Sequence, residues 1–142
     1  MNRLAQLGPA PFKATIVSVH RRRAAPRTRL QSLRDALRGL ADAWHTQPNL
    51  RLHVAVGFGV ILLGAAARLS LTEWLWVSFA IGLVLFAELM NTAIEQAIDL
   101  AIGLAPDPLA RRVKDIAAGC VLVSAVLAVV IGCLTFLPRL RG

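Results

Sequence analysis

Apolar residues follow two patterns along this chain of 142 residues, a spaced pattern first and long runs afterwards. From Leu30, large apolar residues recur every three or four positions, at 30, 33, 37, 40 and 44, and the charged residues between them lie off that stripe. This spacing is typical of an amphipathic helix that either lies on a membrane surface or packs against other protein. We predict this helix over residues 29–46, with Pro48 ending or kinking it.

Three longer apolar runs follow, each close to the length of about 20 residues that a helix needs to cross a bilayer. We predict spans at about 50–70, 73–99 and 115–137. The first reaches full length only if its flanking arginines snorkel, and the third carries no charge after its first residue. Trp74 and Trp76 lie where an interfacial aromatic belt would place them. The sequence therefore predicts an all-α membrane protein with one amphipathic surface helix and three transmembrane helices.

Composition and charge support a membrane protein and indicate its orientation. Hydrophobic residues make up 56% of the chain and charged residues 17%, which is more apolar than an average soluble domain. Ten of the sixteen lysines and arginines lie between Arg3 and Arg51, and Arg111, Arg112 and Lys114 lie between the second and third spans. By the positive-inside rule, we expect both regions in the cytoplasm, with a basic flexible tail at 1–27.

An odd number of spans would place Arg139 and Arg141 outside the cytoplasm, which departs mildly from the rule. A basic N-terminal region is also compatible with nucleic acid, but aromatic residues are not interleaved with the basic ones and no groove-reading motif is present. We therefore expect no nucleic-acid partner.

The second apolar run ends in FAELMNTAIEQAIDL, residues 86–100, which carries three carboxylates and an amide. At about 100° per residue, Glu88, Asn91, Glu95 and Asp99 share one helix face and rise about 16 Å along the axis. An Asp at the centre of a membrane helix costs about 2.5–3.5 kcal/mol, so this face should not meet lipid. It is either a polar contact between helices or a site that binds a hard cation such as Mg²⁺.

Basic residues in the second cytoplasmic segment extend this candidate site. Arg111 and Arg112 either bind polyphosphate through charge-assisted hydrogen bonds or anchor the segment at the membrane surface. Lys114 and Asp115 stand at the mouth of the third predicted span, and we predict a functional role for them. The sequence contains no Walker A loop and no glycine-rich kinase loop, so phosphoryl transfer here would use a different scaffold.

The stretches Glu88-Leu-Met-Asn91-Thr-Ala-Ile-Glu95-Gln-Ala-Ile-Asp99 and Val113-Lys114-Asp115-Ile-Ala-Ala-Gly119 resemble the small prokaryotic integral-membrane diacylglycerol kinases, a family that includes undecaprenol kinases. The resemblance covers about residues 30–137 and implies a lipid kinase domain over 28–142. It implies a homotrimer in the bacterial inner membrane with its N-terminus and active site in the cytoplasm. The implied reaction transfers the γ-phosphoryl group of ATP, with Mg²⁺, to a membrane lipid alcohol, making phosphatidic acid from diacylglycerol or undecaprenyl phosphate from undecaprenol.

On the second span, the resemblance implies a role for each residue of the polar face. Glu88 would be the general base on the lipid hydroxyl, with Asn91 orienting it. Glu95 would hold Mg²⁺ and thereby position ATP, and Asp99 would support the site. Glu88 and Glu95 lie two helical turns apart, about 10 Å, which leaves room for a phosphoryl group and a metal ion between them.

Outside the second span, the resemblance assigns Lys114 and Asp115 to the nucleotide phosphates and ribose. Arg51 would support the site. It belongs to an Asn-x-Arg-x-His pattern, residues 49–53, that is associated with the undecaprenol-kinase-like members of the family.

The sequence departs from the family pattern at two places. Gln47 stands where the family usually has a second metal-binding glutamate, and an uncharged amide oxygen should bind Mg²⁺ more weakly. On the surface helix, Thr28 and Asp35 occupy places where the family usually has an arginine and a tyrosine, which leaves Asp35 a weaker candidate for binding ATP. These departures keep open a third alternative, a non-catalytic membrane subunit.

Overall fold

The computed structural model describes residues 28–103 and 106–140, and the tail predicted at 1–27 lies outside them. The described residues form four helices and no strand: α1, Arg29–Thr46; α2, Pro48–Ala66; α3, Leu71–Ile102; and α4, Pro108–Leu140. The predicted all-α class is confirmed. Three of these helices, α2, α3 and α4, are long and apolar enough to cross a membrane, as the sequence predicted.

The chain divides into two compact units, Met1–Leu37 and Arg38–Gly142. In the first unit, α1 begins with a reciprocal cap. The Thr28 N–H donates to Gln31 Oε1 at 2.9 Å, and the Gln31 N–H donates to Thr28 Oγ1 at 3.3 Å. This capping box satisfies two of the backbone donors that every helix start leaves without an intrahelical partner, so Thr28 fixes the point where α1 begins.

In the second unit, α2 and α3 begin at residues suited to a helix start. Pro48 takes the first turn of α2, where its missing N–H costs nothing, and Gln47 precedes it in an extended conformation. Ser70 and Glu73 form a capping box at the start of α3. Between α2 and α3, Arg68 adopts a left-handed φ of 53°, and this short turn reverses the chain.

The start of α4 differs from the sequence-based expectation. Asp107 Oδ1 accepts hydrogen bonds from the N–H groups of Leu109 and Ala110, at 2.7 and 2.9 Å, and Pro108 takes the first helical position. This N-cap begins the helix seven residues before the predicted third span. Lys114 therefore lies at the end of the second turn of α4 and not at the mouth of the helix.

α2 and α3 approach each other closely at two glycines. A Cβ added at Gly57 would lie 3.1 Å from Ile81 Cγ2, and one added at Gly64 would lie 2.9 Å from Trp74 Cη2. Larger residues at these positions would push the helices apart. The two contacts are separated by seven residues on α2 and by seven residues on α3. The two antiparallel helices therefore keep one register over this length.

α3 packs more extensively on α4 than on α2. An ion pair joins α3 to α4 at each end, Asp99 with Lys114 and Glu73 with Arg139. Between the two ion pairs, α3 buries one face whose residues recur every three or four positions: Val77, Ala80, Val84, Glu88 and Thr92. The buried face of the membrane helix thus becomes polar at Glu88, which is where the candidate site begins.

Candidate active site

The polar residues predicted on one face of the second span lie on α3. Glu88 is only 3% exposed and continues the buried face one turn beyond Val84. Asn91 and Glu95 are half-buried, and Asp99 is exposed. Burial therefore decreases from Glu88 toward the C-terminus of α3, so the face leads from the protein interior to its surface.

Hydrogen bonds order the middle of this face. Asn91 Nδ2 donates to Glu95 Oε1 at 3.1 Å, an interaction between residues four apart on one helix. Within the described part of the chain, Asn91 Oδ1 is buried and accepts no hydrogen bond. Buried polar atoms are nearly always paired, and an exception calls for a specific explanation. Here the unpaired oxygen lies on the residue that binds the Glu95 carboxylate, which points to a ligand at this position.

The oxygen donors on α3 suit a hard divalent cation. A carboxylate at Glu95 and the amide oxygen of Asn91 are the ligand types that Mg²⁺ prefers. Across residues 28–103 and 106–140, no three His, Cys, Asp or Glu side chains come close enough together to hold a metal ion. Mg²⁺ usually binds through one or two carboxylates and completes its shell with water and substrate phosphates.

The register between α2 and α3 relates the first turn of α2 to this face. Gly57 lies opposite Ile81, so seven residues further along the pair this register places Leu50 level with Glu88. Three residues beyond that, Gln47 is level with Asn91. Gln47 is half-buried, and its side chain does not cap α2. The position predicted for a second metal ligand is therefore level with the polar face of α3.

A cavity of about 860 Å³ lies where α3 ends and α4 begins. Its lining includes three cationic side chains and three carboxylates: Arg111, Arg112, Lys114, Asp99, Asp107 and Asp115. Lys114 Nζ binds Asp99 Oδ1 at 2.5 Å, so the last acidic residue of the polar face pairs with the lysine that lines the cavity. A cavity of this size with several cations can accept a polyphosphate by charge-assisted hydrogen bonds.

Two predicted residues are less closely tied to this arrangement. Arg51 lies in the first turn of α2 and is exposed. Asp35 lies in the N-terminal unit, exposed on α1, and its predicted contact with ATP stays a prediction. The supporting role of Arg51 likewise stays a prediction.

Two buried hydroxyls near the level of Glu88 were not expected from the sequence. Thr92 is 4% exposed, and its Oγ1 donates to the main-chain oxygen of Glu88 at 3.0 Å. Ser124 on α4 is 5% exposed and donates to the main-chain oxygen of Val121 at 2.8 Å. Thr92 continues the three- and four-residue spacing of the buried face, which is the signal that identifies it. Both hydroxyls bind main-chain oxygens of their own helices.

Comparison with known proteins identifies the family. Residues 34–136 match the family model described as prokaryotic diacylglycerol kinase. The chain is 42% identical over 103 residues to the undecaprenol kinase of Bacillus subtilis (strain 168), covering 72% of this chain and 83% of that protein. It is 38% identical over 111 residues to a diacylglycerol kinase of Synechocystis sp., covering 78% of this chain and 63% of that protein, less than two thirds of its length. This chain therefore belongs to the prokaryotic diacylglycerol kinase family.

Proposed function

We propose that this protein transfers the γ-phosphoryl group of ATP to the hydroxyl of a membrane lipid, making phosphatidic acid from diacylglycerol. The observation that carries the proposal is the position of Glu88, a carboxylate buried at the point where an apolar helix face becomes polar. From this residue, the polar face leads along α3 to the cavity beside Asp99, which Arg111, Arg112 and Lys114 line. A lipid hydroxyl and a nucleotide phosphate can therefore approach Glu88 from opposite directions.

Each residue of the polar face has a place in the reaction. Glu88 accepts the proton of the lipid hydroxyl, whose oxygen forms a bond to the γ-phosphorus while the bond to the bridging oxygen of ADP breaks. Asn91 holds the Glu95 carboxylate by its hydrogen bond at 3.1 Å. Such a reaction needs mainly positioning and neutralisation of charge, which polar groups fixed on one helix provide.

The nucleotide end of the site uses the remaining charged residues. Glu95, together with Asn91 Oδ1 and the amide oxygen of Gln47, would hold Mg²⁺, which neutralises charge on the transferring phosphates when bound. Lys114, held by Asp99, binds the phosphates, and Asp115 lines the same cavity and contacts the nucleotide. ATP is thus placed where the cations of α4 are concentrated.

Undecaprenol is the second candidate acceptor. The observation that favours it is the 42% identity to a protein named undecaprenol kinase. The Asn-x-Arg-x-His pattern at residues 49–53 supports the same alternative. Both acceptors present a hydroxyl at the end of long hydrocarbon, so the same polar face serves either one.

We also propose a homotrimer in the bacterial inner membrane, with the N-terminus and the site facing the cytoplasm. The concentration of basic residues before Arg51 and between α3 and α4 supports this orientation. Arg139 would then lie on the opposite side, and its charge is offset there by Glu73. The size of the detergent-solubilised protein and the accessibility of single cysteines placed in each loop test the two parts of this proposal separately.

Phosphate transfer from radiolabelled ATP tests the main proposal. The purified protein is offered diacylglycerol and undecaprenol in parallel mixed micelles with Mg²⁺. We expect label in a lipid product, and a loss of about 10²- to 10⁴-fold in Glu88→Gln because the general base is removed. Glu73→Gln, the same change on the same helix outside the site, should keep near-normal turnover. A correctly folded protein that labels neither lipid would contradict the proposal and favour a non-catalytic subunit.

A further inference from the structure

The carboxylate of Glu88 is buried, and no described residue donates a hydrogen bond to it. Glu88 is 3% exposed, and within residues 28–103 and 106–140 its only contact with a polar side chain is at its main-chain oxygen, which accepts from Thr92. A buried carboxylate without a donor is costly, because water no longer solvates its charge. The proposed general base therefore needs a donor from a neighbouring part of the fold.

The polar side chains next to Glu88 on α3 are engaged elsewhere. Asn91 Nδ2 donates to Glu95 Oε1 at 3.1 Å, and Thr92 Oγ1 donates to the main-chain oxygen of Glu88 at 3.0 Å. The next source of a donor is α4, because α4 is the helix on which α3 packs most extensively.

The ion pairs at the two ends of α3 and α4 identify the residue of α4 that is level with Glu88. Eleven residues inward from the pair at Asp99, the antiparallel count along α4 reaches Ala125. Fifteen residues inward from the pair at Glu73, it reaches Ser124. The two counts start from opposite ends and differ by one residue, which is about 1.5 Å along the axis. Ser124 is therefore level with Glu88 to within one residue.

The burial of Ser124 shows which way its side chain points. Ser124 is 5% exposed and continues a buried face of α4 on which Ala110 and Ala117 precede it at intervals of seven residues. Because α4 packs chiefly on α3, this face lies against α3. Ser124 and Glu88 are therefore buried in the same helix contact and at the same level.

The Ser124 hydroxyl can turn toward α3 at little cost. Its single hydrogen is donated to the main-chain oxygen of Val121 at 2.8 Å, a contact that serine commonly makes within its own helix. When the hydroxyl turns away, that oxygen keeps its helical hydrogen bond from the N–H four residues further on. Rotation about one side-chain bond thus replaces a second hydrogen bond to a paired oxygen with a charge-assisted one to the Glu88 carboxylate.

We propose that Ser124 is a positioning residue for Glu88 and donates its hydroxyl hydrogen to one oxygen of the carboxylate. This inference rests on the proposed kinase function and adds the residue that orients the base. With one oxygen held from α4, the other faces the lipid hydroxyl and accepts its proton as the bond to the γ-phosphorus forms and ADP leaves. Ser124 contacts neither substrate, so it affects the rate of transfer and not the binding of ATP or lipid.

Two substitutions at Ser124 distinguish positioning from packing. Ser124→Ala removes only the hydroxyl, and we expect kcat to fall about 10- to 100-fold, as for loss of a hydrogen bond to a charged group, with both KM values unchanged. Ser124→Thr keeps a hydroxyl and should restore most of the rate. If Ser124 served only as a small residue in a close helix contact, alanine would be tolerated and threonine would be harmful. That order would overturn the inference.

Thr135→Val is the matched control, because it also removes a hydroxyl from the buried side of α4, eleven residues beyond Ser124. It should leave kcat unchanged. In a Glu88→Gln background, Ser124→Ala should have no further effect, since the base that Ser124 positions is absent. A further tenfold loss in that background would overturn the inference. This double substitution also decides the matter if Ser124→Thr fails to fold.

An infrared measurement without substrates separates this inference from the proposed function. Loss of a hydrogen bond shifts the stretching band of the accepting carboxyl group, so Ser124→Ala should change one band of isotope-labelled glutamate. The change should be absent when both samples also carry Glu88→Gln. A band shift in a protein that transfers no phosphate would support the inference and contradict only the kinase proposal. An active kinase in which neither the band nor kcat responds to Ser124→Ala would overturn the inference alone.

Discussion

The two ends of the α3–α4 pair are each joined by an ion pair, but they are built differently. At the Glu73 end, two nitrogens of Arg139 bind the two carboxylate oxygens of Glu73, one of them at 2.8 Å, and Arg139 Nε donates to the Ala67 oxygen at 3.2 Å. At the Asp99 end, Lys114 makes a single contact with Asp99. The side chains of that second pair are 33% and 58% exposed.

The difference is between an ion pair whose groups are used within the protein and one that borders the proposed nucleotide site. At the Glu73 end, the same carboxylate also binds Ser70, so its charge and hydrogen-bonding capacity are used within the protein. The Asp99 end has a flexible point charge beside a cavity lined by Arg111 and Arg112. A planar guanidinium in a two-pronged contact fixes helix ends, whereas a lysine in a single contact can turn toward a phosphate.

The largest effect is expected from Glu95→Gln, toward the Asp99 end of α3. Loss of the carboxylate removes the charged Mg²⁺ ligand, and the Mg²⁺ concentration for half-maximal turnover should rise at least about 100-fold. A titration of activity with Mg²⁺ at saturating lipid measures this concentration. Glu73→Gln, an identical change at the other end of α3, should leave the titration unchanged. An unchanged titration in Glu95→Gln would remove Glu95 from the proposed metal site.

A smaller loss is expected from Lys114→Gln. Removal of a charge-assisted contact with phosphate costs about 1.5–3 kcal/mol, which corresponds to roughly 10- to 100-fold in the KM for ATP. The KM for the lipid should stay the same, because Lys114 lies beside Asp99, at the far end of the polar face from Glu88. Initial rates with each substrate varied in turn distinguish the two constants. An equal rise in both would indicate a general disturbance of α4.

Arg139→Gln should affect stability more than catalysis. The change leaves the Glu73 carboxylate and the Ala67 oxygen without their guanidinium partner, so the midpoint of thermal unfolding in detergent should fall. Both KM values should remain near those of the unaltered protein at a temperature where the variant is folded. A higher KM for ATP with an unchanged KM for the lipid would show that the two ends of the α3–α4 pair are not independent. That result would contradict the comparison.

The smallest effect, and the only gain, is expected from Gln47→Glu. A carboxylate level with Asn91 adds a charged ligand, and Mg²⁺ affinity should rise by roughly fivefold, equivalent to about 1 kcal/mol. The Mg²⁺ titration used for Glu95→Gln measures it, with Gln96→Glu on the exposed side of α3 as the control. Weaker Mg²⁺ use in Gln47→Glu would mean that Gln47 does not face the metal.

Much of this architecture follows from local patterns in the sequence. The apolar runs predict the three long helices because each has the length and composition that a bilayer requires. The spacing of Glu88, Asn91 and Glu95 places them on one face, and the hydrogen bond between Asn91 and Glu95 is what residues four apart on a helix can form. These features depend on one helix at a time.

Features that depend on two or more helices could not be predicted in this way. The close approach of α2 to α3 depends on Gly57 and Gly64, and nothing in the sequence pairs these glycines with Ile81 or Trp74. The pairing of Glu73 with Arg139 joins residues 66 positions apart. The early start of α4 could not be predicted for another reason, since the cap at Asp107 lies between Pro106 and Pro108, in a stretch that resembles a loop.

The length of α3 has a consequence for the membrane itself. From Leu71, where α3 begins, to Glu88 the helix rises about 26 Å, slightly less than the hydrocarbon thickness of a typical bilayer, about 30 Å. Because Arg139 fixes the beginning of α3, Glu88 lies at a set depth measured from the opposite face. A thicker bilayer would draw this carboxylate below the headgroups and a thinner one would lift it toward water. In the proposed reaction, bilayer thickness therefore decides whether Glu88 and the lipid hydroxyl meet at the same depth.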